Sequence, residues 1–484
     1  MADNGFDLFG AARQEMIEEG FDPDFPPGVD EQVAALKPAA LAGTDGPVRD
    51  MRSLLWSSID NDTSRDLDQA EMAERVSGGI RVLVAIADVA SDVPIGSPID
   101  QHAASQTTSV YTGVKTFSML PEQLSTDLTS LNEGADRLAV AVEMIVADDG
   151  SISSSSIFQA LIRNRAQLTY NGVGPWLEGN AGAPPKVAAS ADLEAQLKLQ
   201  DEAAQNLLEE RQRLGALNID RVEAEAIVTD GQVHGINTRK KNRATELIEN
   251  FMVAANGVMA RTLVTAGVAS IRRIVKAPER WPRIVEIAAR YGDTLPAEPD
   301  SRALNLFLQK RKDADGVHYA DLSLSVIKLM GPGQYVLSHP GAKDQEHFAL
   351  AAHDYTHSTA PNRRFADTVT QRLIQSVLAK RPSPYSGEQL DSIAKNCTLK
   401  ENAARKVERM MNKRIAAVAL HDRIGDTFSA VVTGVTPKGV FVRVLGPPAE
   451  GILIHGQQGV DVGDQLQVKL VSTDPQRGYL DFAR

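Results

Sequence analysis

The spacing of apolar positions divides the chain into stretches of different period. Residues 46–170 read as strands with connecting loops. Within them the apolar, β-branched run Val82-Leu83-Val84-Ala85-Ile86-Ala87 predicts a buried strand. Leu247, Ile248, Phe251, Met252, Ala255 and Val258 recur at helical spacing and predict a helix over 243–265. Further helices are expected at 193–215, 279–291, 302–311, 363–380 and 387–423, and a weak alternation over 223–238 suggests a hairpin. Residues 1–45 look like short amphipathic helices broken by Pro23, Pro26 and Pro27. The stretch 172–192, rich in Gly, Ala, Pro and Asn, reads as a surface excursion.

The last 60 residues change character. Phe428 to Val435, Gly439 to Leu445, Glu450 to Ile454, Gln465 to Val471 and Tyr479 to Ala483 form five short strands joined by Gly, Pro and Asp turns. That count and spacing predict an OB-type barrel. In Val440-Phe441-Val442-Arg443-Val444 the valines share one face, which leaves Phe441 and Arg443 on the other. An aromatic beside a cation on an outer face suits base stacking and phosphate contact; the plainer reading is a barrel surface with one stray aromatic. The whole is an α+β chain: a helical segment at 1–45, a large domain at 46–424 and a barrel at 425–484.

At 484 residues, roughly three domains of about 150 residues are expected. One cysteine, Cys397, allows no internal disulfide and reads as a buried helix residue, so a reducing, cytoplasmic setting is expected. No signal peptide and no run approaching about 18 apolar residues is present, so no membrane span is expected. A net charge of −12 argues against a surface that coats nucleic acid at large. It leaves room for an internal basic channel. Positive charge gathers at Arg239-Lys240-Lys241-Asn242-Arg243, Arg272-Arg273, Lys310-Arg311-Lys312 and Arg363-Arg364, each of which also reads as a solvated helix end.

Chemistry concentrates before the buried strand, in Asp60-Asn61-Asp62-Thr63-Ser64-Arg65-Asp66-Leu67-Asp68. Such runs are often solvated turns. This one lacks the Gly and Glu of an EF-hand calcium loop. Carboxylates this close repel one another, and a divalent cation removes that penalty. Hard oxygen ligands of this kind suit Mg²⁺ or Mn²⁺. His353 and His357, four apart, would suit a zinc helix, but Asp354 stands where Glu is needed and no third ligand is evident. Gly331-Pro332-Gly333 reads as a turn, and no Walker lysine motif exists.

The Asp run is followed in order by Ile86-Ala87-Asp88-Val89, Gly96-Ser97-Pro98-Ile99-Asp100, Met119-Leu120-Pro121-Glu122-Gln123-Leu124-Ser125, Asp136-Arg137-Leu138-Ala139, Leu168-Thr169-Tyr170 and Tyr355-Thr356-His357-Ser358-Thr359-Ala360-Pro361-Asn362-Arg363-Arg364-Phe365-Ala366-Asp367. This resembles the RNB catalytic domain of the ribonuclease II/ribonuclease R family over roughly 46–415, and the barrel resembles that family's C-terminal S1 domain. The resemblance implies a single-subunit 3′→5′ exoribonuclease that hydrolyses single-stranded RNA to nucleoside 5′-monophosphates with Mg²⁺.

By that resemblance Asp60, Asp66 and Asp68 match three of the family's four active-site aspartates, Asp68 being the one tied to the chemical step. Gln69 stands at the fourth, offering an amide oxygen without charge. Arg363 matches an arginine on the scissile phosphate, with Arg364 beside it. Tyr111 and Tyr170 match aromatics along the RNA path, and Glu408 a glutamate near the RNA 3′ end. Family members usually carry two cold-shock barrels ahead of the catalytic domain, where this sequence has about 45 residues; weaker RNA anchoring is therefore expected. The rival reading is an RNA-binding protein of the same fold that has lost catalysis, for which Gln69 speaks.

Overall fold

The computed structural model describes residues 6–36, 47–219, 223–229, 232–239, 241–316, 319–342 and 346–484. Its architecture is α+β. A six-stranded sheet forms the body, and its curvature comes from one 18-residue strand, Ile152–Thr169. Up to Arg163 this strand pairs antiparallel with Asp136–Val146; from Asn164 it pairs parallel with Trp56–Asp60. Between those partners run Gln69–Val76 and Gly79–Ala87, so the sheet curls back on itself. Val82 to Ala87 are fully buried, as the apolar run predicts.

Helices Ala191–Leu214, Arg243–Thr265 and Phe365–Leu378 cover one face of this sheet. The helix expected over 243–265 forms with those bounds. It starts at a capping box in which Asn242 and Thr245 satisfy each other's backbone N–H groups. The hairpin over 223–238 is the antiparallel pair Glu223–Thr229 and Gln232–Arg239. Lys240 and the side chain of Arg239 lie outside the described residues.

Three expectations need correction. The stretch 172–192 holds two helices, Tyr170–Leu177 and Pro185–Ala188. The Thr169 side chain caps the first by accepting from Gly172 N. Its glycine serves packing: a Cβ on Gly174 would stand 2.3 Å from the Asn242 side chain. The second correction is the helix Pro98–Gln106 inside the strand-rich region, which begins at Ser97 as cap with Pro98 in the first turn. The third is the helix Tyr319–Met330, unexpected from the sequence.

The helix Gly387–Ala419 is the spine of the molecule. Leu8, Ala12 and Met16 of the helix Leu8–Glu18 pack on Val407, Met411 and Ile415 midway along it, and Arg414 pairs with Glu15 at 3.0 Å. Its last residues, Ala416 and Ala417, enter the core of the C-terminal barrel. That barrel closes through five strands, Thr427–Thr436, Gly439–Leu445, Pro448–His455, Gln465–Asp474 and Tyr479–Ala483. Val440, Val442 and Val444 point into it, and Phe441 and Arg443 face outward, as the alternation predicts. Among the described residues no helix is long and apolar enough to cross a membrane.

Candidate active site

The aspartate run lies where the strand Trp56–Asp60 gives way, through a loop, to the strand Gln69–Val76. The loop is laced to the segment 130–131. Leu67 N donates to Ser130 Oγ (2.9 Å), Ser130 Oγ donates to the Arg65 carbonyl (2.8 Å), and Leu131 N donates to the Leu67 carbonyl (2.9 Å). Ala87 N donates to the Asp68 carbonyl at 2.9 Å. Backbone bonds to the core strand and to a neighbouring loop thus fix where the carboxylates point.

The opposing wall is the turn before the helix Phe365–Leu378. Asn362 N donates to Asp68 Oδ1 at 3.1 Å, and Arg363 Nε lies 3.3 Å from Oδ2. Arg364 is engaged elsewhere: its guanidinium makes a two-pronged pair with Asp367 at 2.9 and 2.7 Å, and Asp367 is wholly buried. Asn256, on the helix Arg243–Thr265, holds the approach to the turn by accepting from Ser358 N (2.8 Å) and Oγ (2.7 Å).

One cavity of about 450 Å³ is lined by Asp60, Asp66, Asp68, Gln69, Tyr111, Tyr170, Arg363 and Arg364. Eight residues singled out from the sequence therefore share one space. Glu408 does not line it. Its Oε1 accepts from Tyr111 N at 3.2 Å, and it faces a second cavity beside the barrel together with Arg443. Phe441 lines neither. Asp62 is exposed and accepts from Asn171 Nδ2 at 2.5 Å, away from the cavity. The zinc helix does not form, since 353–357 is not helical.

Electrostatics mark the site. Burial pushes the Asp68 carboxyl up to about 7 against the opposing pull of Arg363. Burial also raises Asp60. The Tyr111 phenol is raised to about 12, chiefly by burial. Gln69 is buried, and its Nε2 donates to the Ile59 carbonyl at 3.0 Å, which reserves Oε1 as the acceptor. A carboxylate in the same pose would set an oxygen against that carbonyl, so the amide suits its local partner.

Among the described residues no three His, Cys, Asp or Glu side chains gather closely enough to hold a metal ion. Mg²⁺ binds through one or two carboxylates plus substrate phosphate and keeps several waters, so it does not require a cluster of three. The donor set fits: hard oxygens in a cavity where Arg363 only partly offsets the buried carboxylates.

The cavity is not isolated. It shares Glu249 with a neighbour of about 460 Å³ lined by Arg211 and Lys241. That one shares Met330 and Ala349 with a third, of about 610 Å³, holding Arg273 and Arg405. The third shares Arg405 and Arg443 with a fourth, of about 390 Å³, which has Arg409 and Lys413 in its wall. A series of adjoining spaces with cations in every wall thus runs from the aspartates to the barrel, although the chain is acidic overall.

Sequence reasoning missed Glu249 in the cavity wall and weighed His357, also in that wall, only as a zinc ligand. It also missed Glu71, fully buried in the strand Gln69–Val76 with neither carboxylate oxygen hydrogen-bonded to a described residue. Burial, and next the charge of Asp60, push Glu71 well above the usual range. An unsatisfied buried acid costs about 1–3 kcal/mol. Glu71→Met is therefore expected to raise the melting temperature by a few degrees in a calorimetric scan; a drop would show that Glu71 has a partner in solution.

Comparison with known proteins bears on this geometry. The sequence profile of the RNB domain matches residues 48–380, and that of the RNase II-type exonuclease C-terminal S1 domain matches 426–484. Ribonuclease R 1 of Lactococcus lactis is 30% identical over 465 residues, covering 90% of this chain and 56% of the relative. Ribonuclease R of Thermotoga maritima is 30% identical, covering 95% of this chain and 68% of the relative. The chain thus spans little more than half of the first of these. The structure of Mycoplasma genitalium RNase R in complex with ribose-methylated single-stranded RNA superposes with a TM-score of 0.88 at 24% identity, covering 99% of this chain and 78% of that one.

Proposed function

The chain belongs to the RNB family, and from that premise we propose that it is a 3′→5′ exoribonuclease that hydrolyses single-stranded RNA to nucleoside 5′-monophosphates. The observation that carries this reading is a single cavity with Asp60, Asp66, Asp68 and Gln69 on one wall and Arg363 on the other. Asp60, Asp66, Asp68 and the Gln69 Oε1 would hold two ions, Mg²⁺ or Mn²⁺, with no more than two carboxylates on either. A divalent ion there supplies charge screening and activation of water for in-line displacement.

The chain's own groups do the rest. Water attacks the last phosphodiester; the new O–P bond forms as the bond to the 3′-oxygen breaks, and the strand leaves with a 3′-hydroxyl. The Arg363 guanidinium, half exposed and in contact with Asp68 and Tyr111, offsets charge building on the phosphate. Tyr111 and Tyr170 provide faces on which terminal bases stack without readout of sequence. Glu408 acts through Tyr111, whose backbone it holds. Phe441 and Arg443 on the barrel's outer face meet the strand farther out, and Arg364 braces the turn that carries Arg363. We place this activity in the cytoplasm and on a monomer.

A time course on an end-labelled oligoribonucleotide tests the reading. Nucleoside 5′-monophosphates are expected with Mg²⁺ and none with chelator. RNA that stays intact but bound would instead favour the non-catalytic RNA-binding protein to which the uncharged Gln69 points.

A further inference from the structure

The 355–359 segment brings an imidazole to the cavity wall that the hydrolytic scheme leaves unused. His357 lines the cavity beside Arg363, Arg364 and Asn256. Its ring is tightly held. Tyr335 Oη lies 2.8 Å from Nδ1. The Tyr335 and Tyr355 rings meet it edge-on, with centroids 5.5 and 5.8 Å away. The backbone is fixed on either side: Thr356 Oγ1 donates to the Ile271 carbonyl at 2.7 Å, and Ser358 N donates to Asn256 Oδ1 at 2.8 Å. Tyr335 is itself braced by the Arg273 guanidinium, 4.6 Å from its ring centre and bonded to Glu401 at 2.8 Å. A side chain ordered in advance loses little freedom when it binds.

The pairing with Tyr335 sets the tautomer. A phenol is a stronger acid than a neutral imidazole, so the stronger bond has Tyr335 donating to Nδ1. The ring's own proton then sits on Nε2, the nitrogen Tyr335 does not engage. Burial, with Arg364 and Arg273, holds the imidazole well below its ordinary pKa and thus neutral. A neutral ring with Nδ1 occupied has one donor left. The guanidiniums around it make an anionic oxygen the favoured acceptor.

We infer that His357 donates Nε2–H to a phosphate oxygen of the RNA's 3′-terminal nucleotides and so positions the strand for cleavage. The inference rests on the exoribonuclease reading above. His357→Phe keeps a ring between the tyrosines and removes both nitrogens; His357→Gln keeps a donor near the place of Nε2. Each is assayed on labelled oligoribonucleotides ending in ribose or in 2′-deoxyribose. His357→Phe is expected to lower kcat/KM about tenfold on both substrates, mainly through KM, and His357→Gln to recover most of that. Tyr335→Phe frees Nδ1 to take the proton and is expected to lose about threefold. Wild-type kinetics in all three variants would overturn the inference. A loss confined to the ribose-ended substrate would overturn the phosphate assignment and move the contact to the 2′-hydroxyl. A wild-type protein that cuts neither substrate would instead sink the exoribonuclease reading itself.

Discussion

Asp68→Asn is expected to cut single-turnover cleavage by about three orders of magnitude while leaving RNA binding intact. The substitution preserves volume at a site only 4% exposed, and the amide oxygen still accepts from Asn362 N. What it removes is charge. The carboxylate is the one acid in direct contact with Arg363, on the floor of the cavity that would hold the cation. Because burial already disfavours that charge, its removal does not weaken the fold. The melting temperature should hold, and a filter-binding isotherm should match the wild type or tighten slightly, since a negative group next to the bound phosphate is gone. Turnover within tenfold of the wild type would show that the chemistry lies elsewhere.

The adjacent arginines are expected to fail in opposite ways. Arg363→Ala should slow cleavage by about two to three orders of magnitude with little change in stability. Arg363 is half exposed, its contact with Asp68 is long, and Asp68 can take up a proton once that partner is gone. Arg364→Ala should instead destabilise the protein by about 3–5 kcal/mol, the cost of stranding the buried Asp367 charge. Asp367 has no exposure, and among the described residues it accepts, besides Arg364, only from Ala360 N, at 2.8 Å. Urea titration of both variants beside their cleavage rates separates the roles. Arg364→Ala that unfolds like the wild type, or Arg363→Ala that cuts like it, would refute the division of labour.

Much of this was legible in the sequence for definite reasons. The helix Arg243–Thr265 announces itself because its apolar residues keep one period for six turns and a cap precedes it. The strands Gly439–Leu445 and Tyr479–Ala483 are bounded by glycine turns that leave little freedom of register. The aspartate run and Arg363 stand out as charge that solvent alone does not explain. Other features depend on long-range packing, which local pattern does not carry. Asp68 and Asn362 are 294 positions apart, and nothing near either residue signals their bond. Gln69-Ala70-Glu71-Met72 alternates like a strand with one wet face, yet the helix Ala191–Leu214 covers that face and leaves Glu71 dry. The helix Tyr170–Leu177 was hidden by its glycines and by Pro175, although Gly174 serves close contact with Asn242 rather than a loop. Asp62 lies in the same acidic run as the cavity residues but points the other way, toward Asn171.

The spine helix has a mechanical consequence. At 33 residues it is a rod about 50 Å long. One end is seated in the barrel; partway along, Glu408 holds Tyr111 and Glu401 holds Arg273. On the exoribonuclease reading, a tug on a strand held by the barrel would be transmitted stiffly to Tyr111 in the catalytic cavity and to Arg273, which braces Tyr335 behind His357. On that reading one strut joins grip to cut, so slack introduced anywhere along it would reach both.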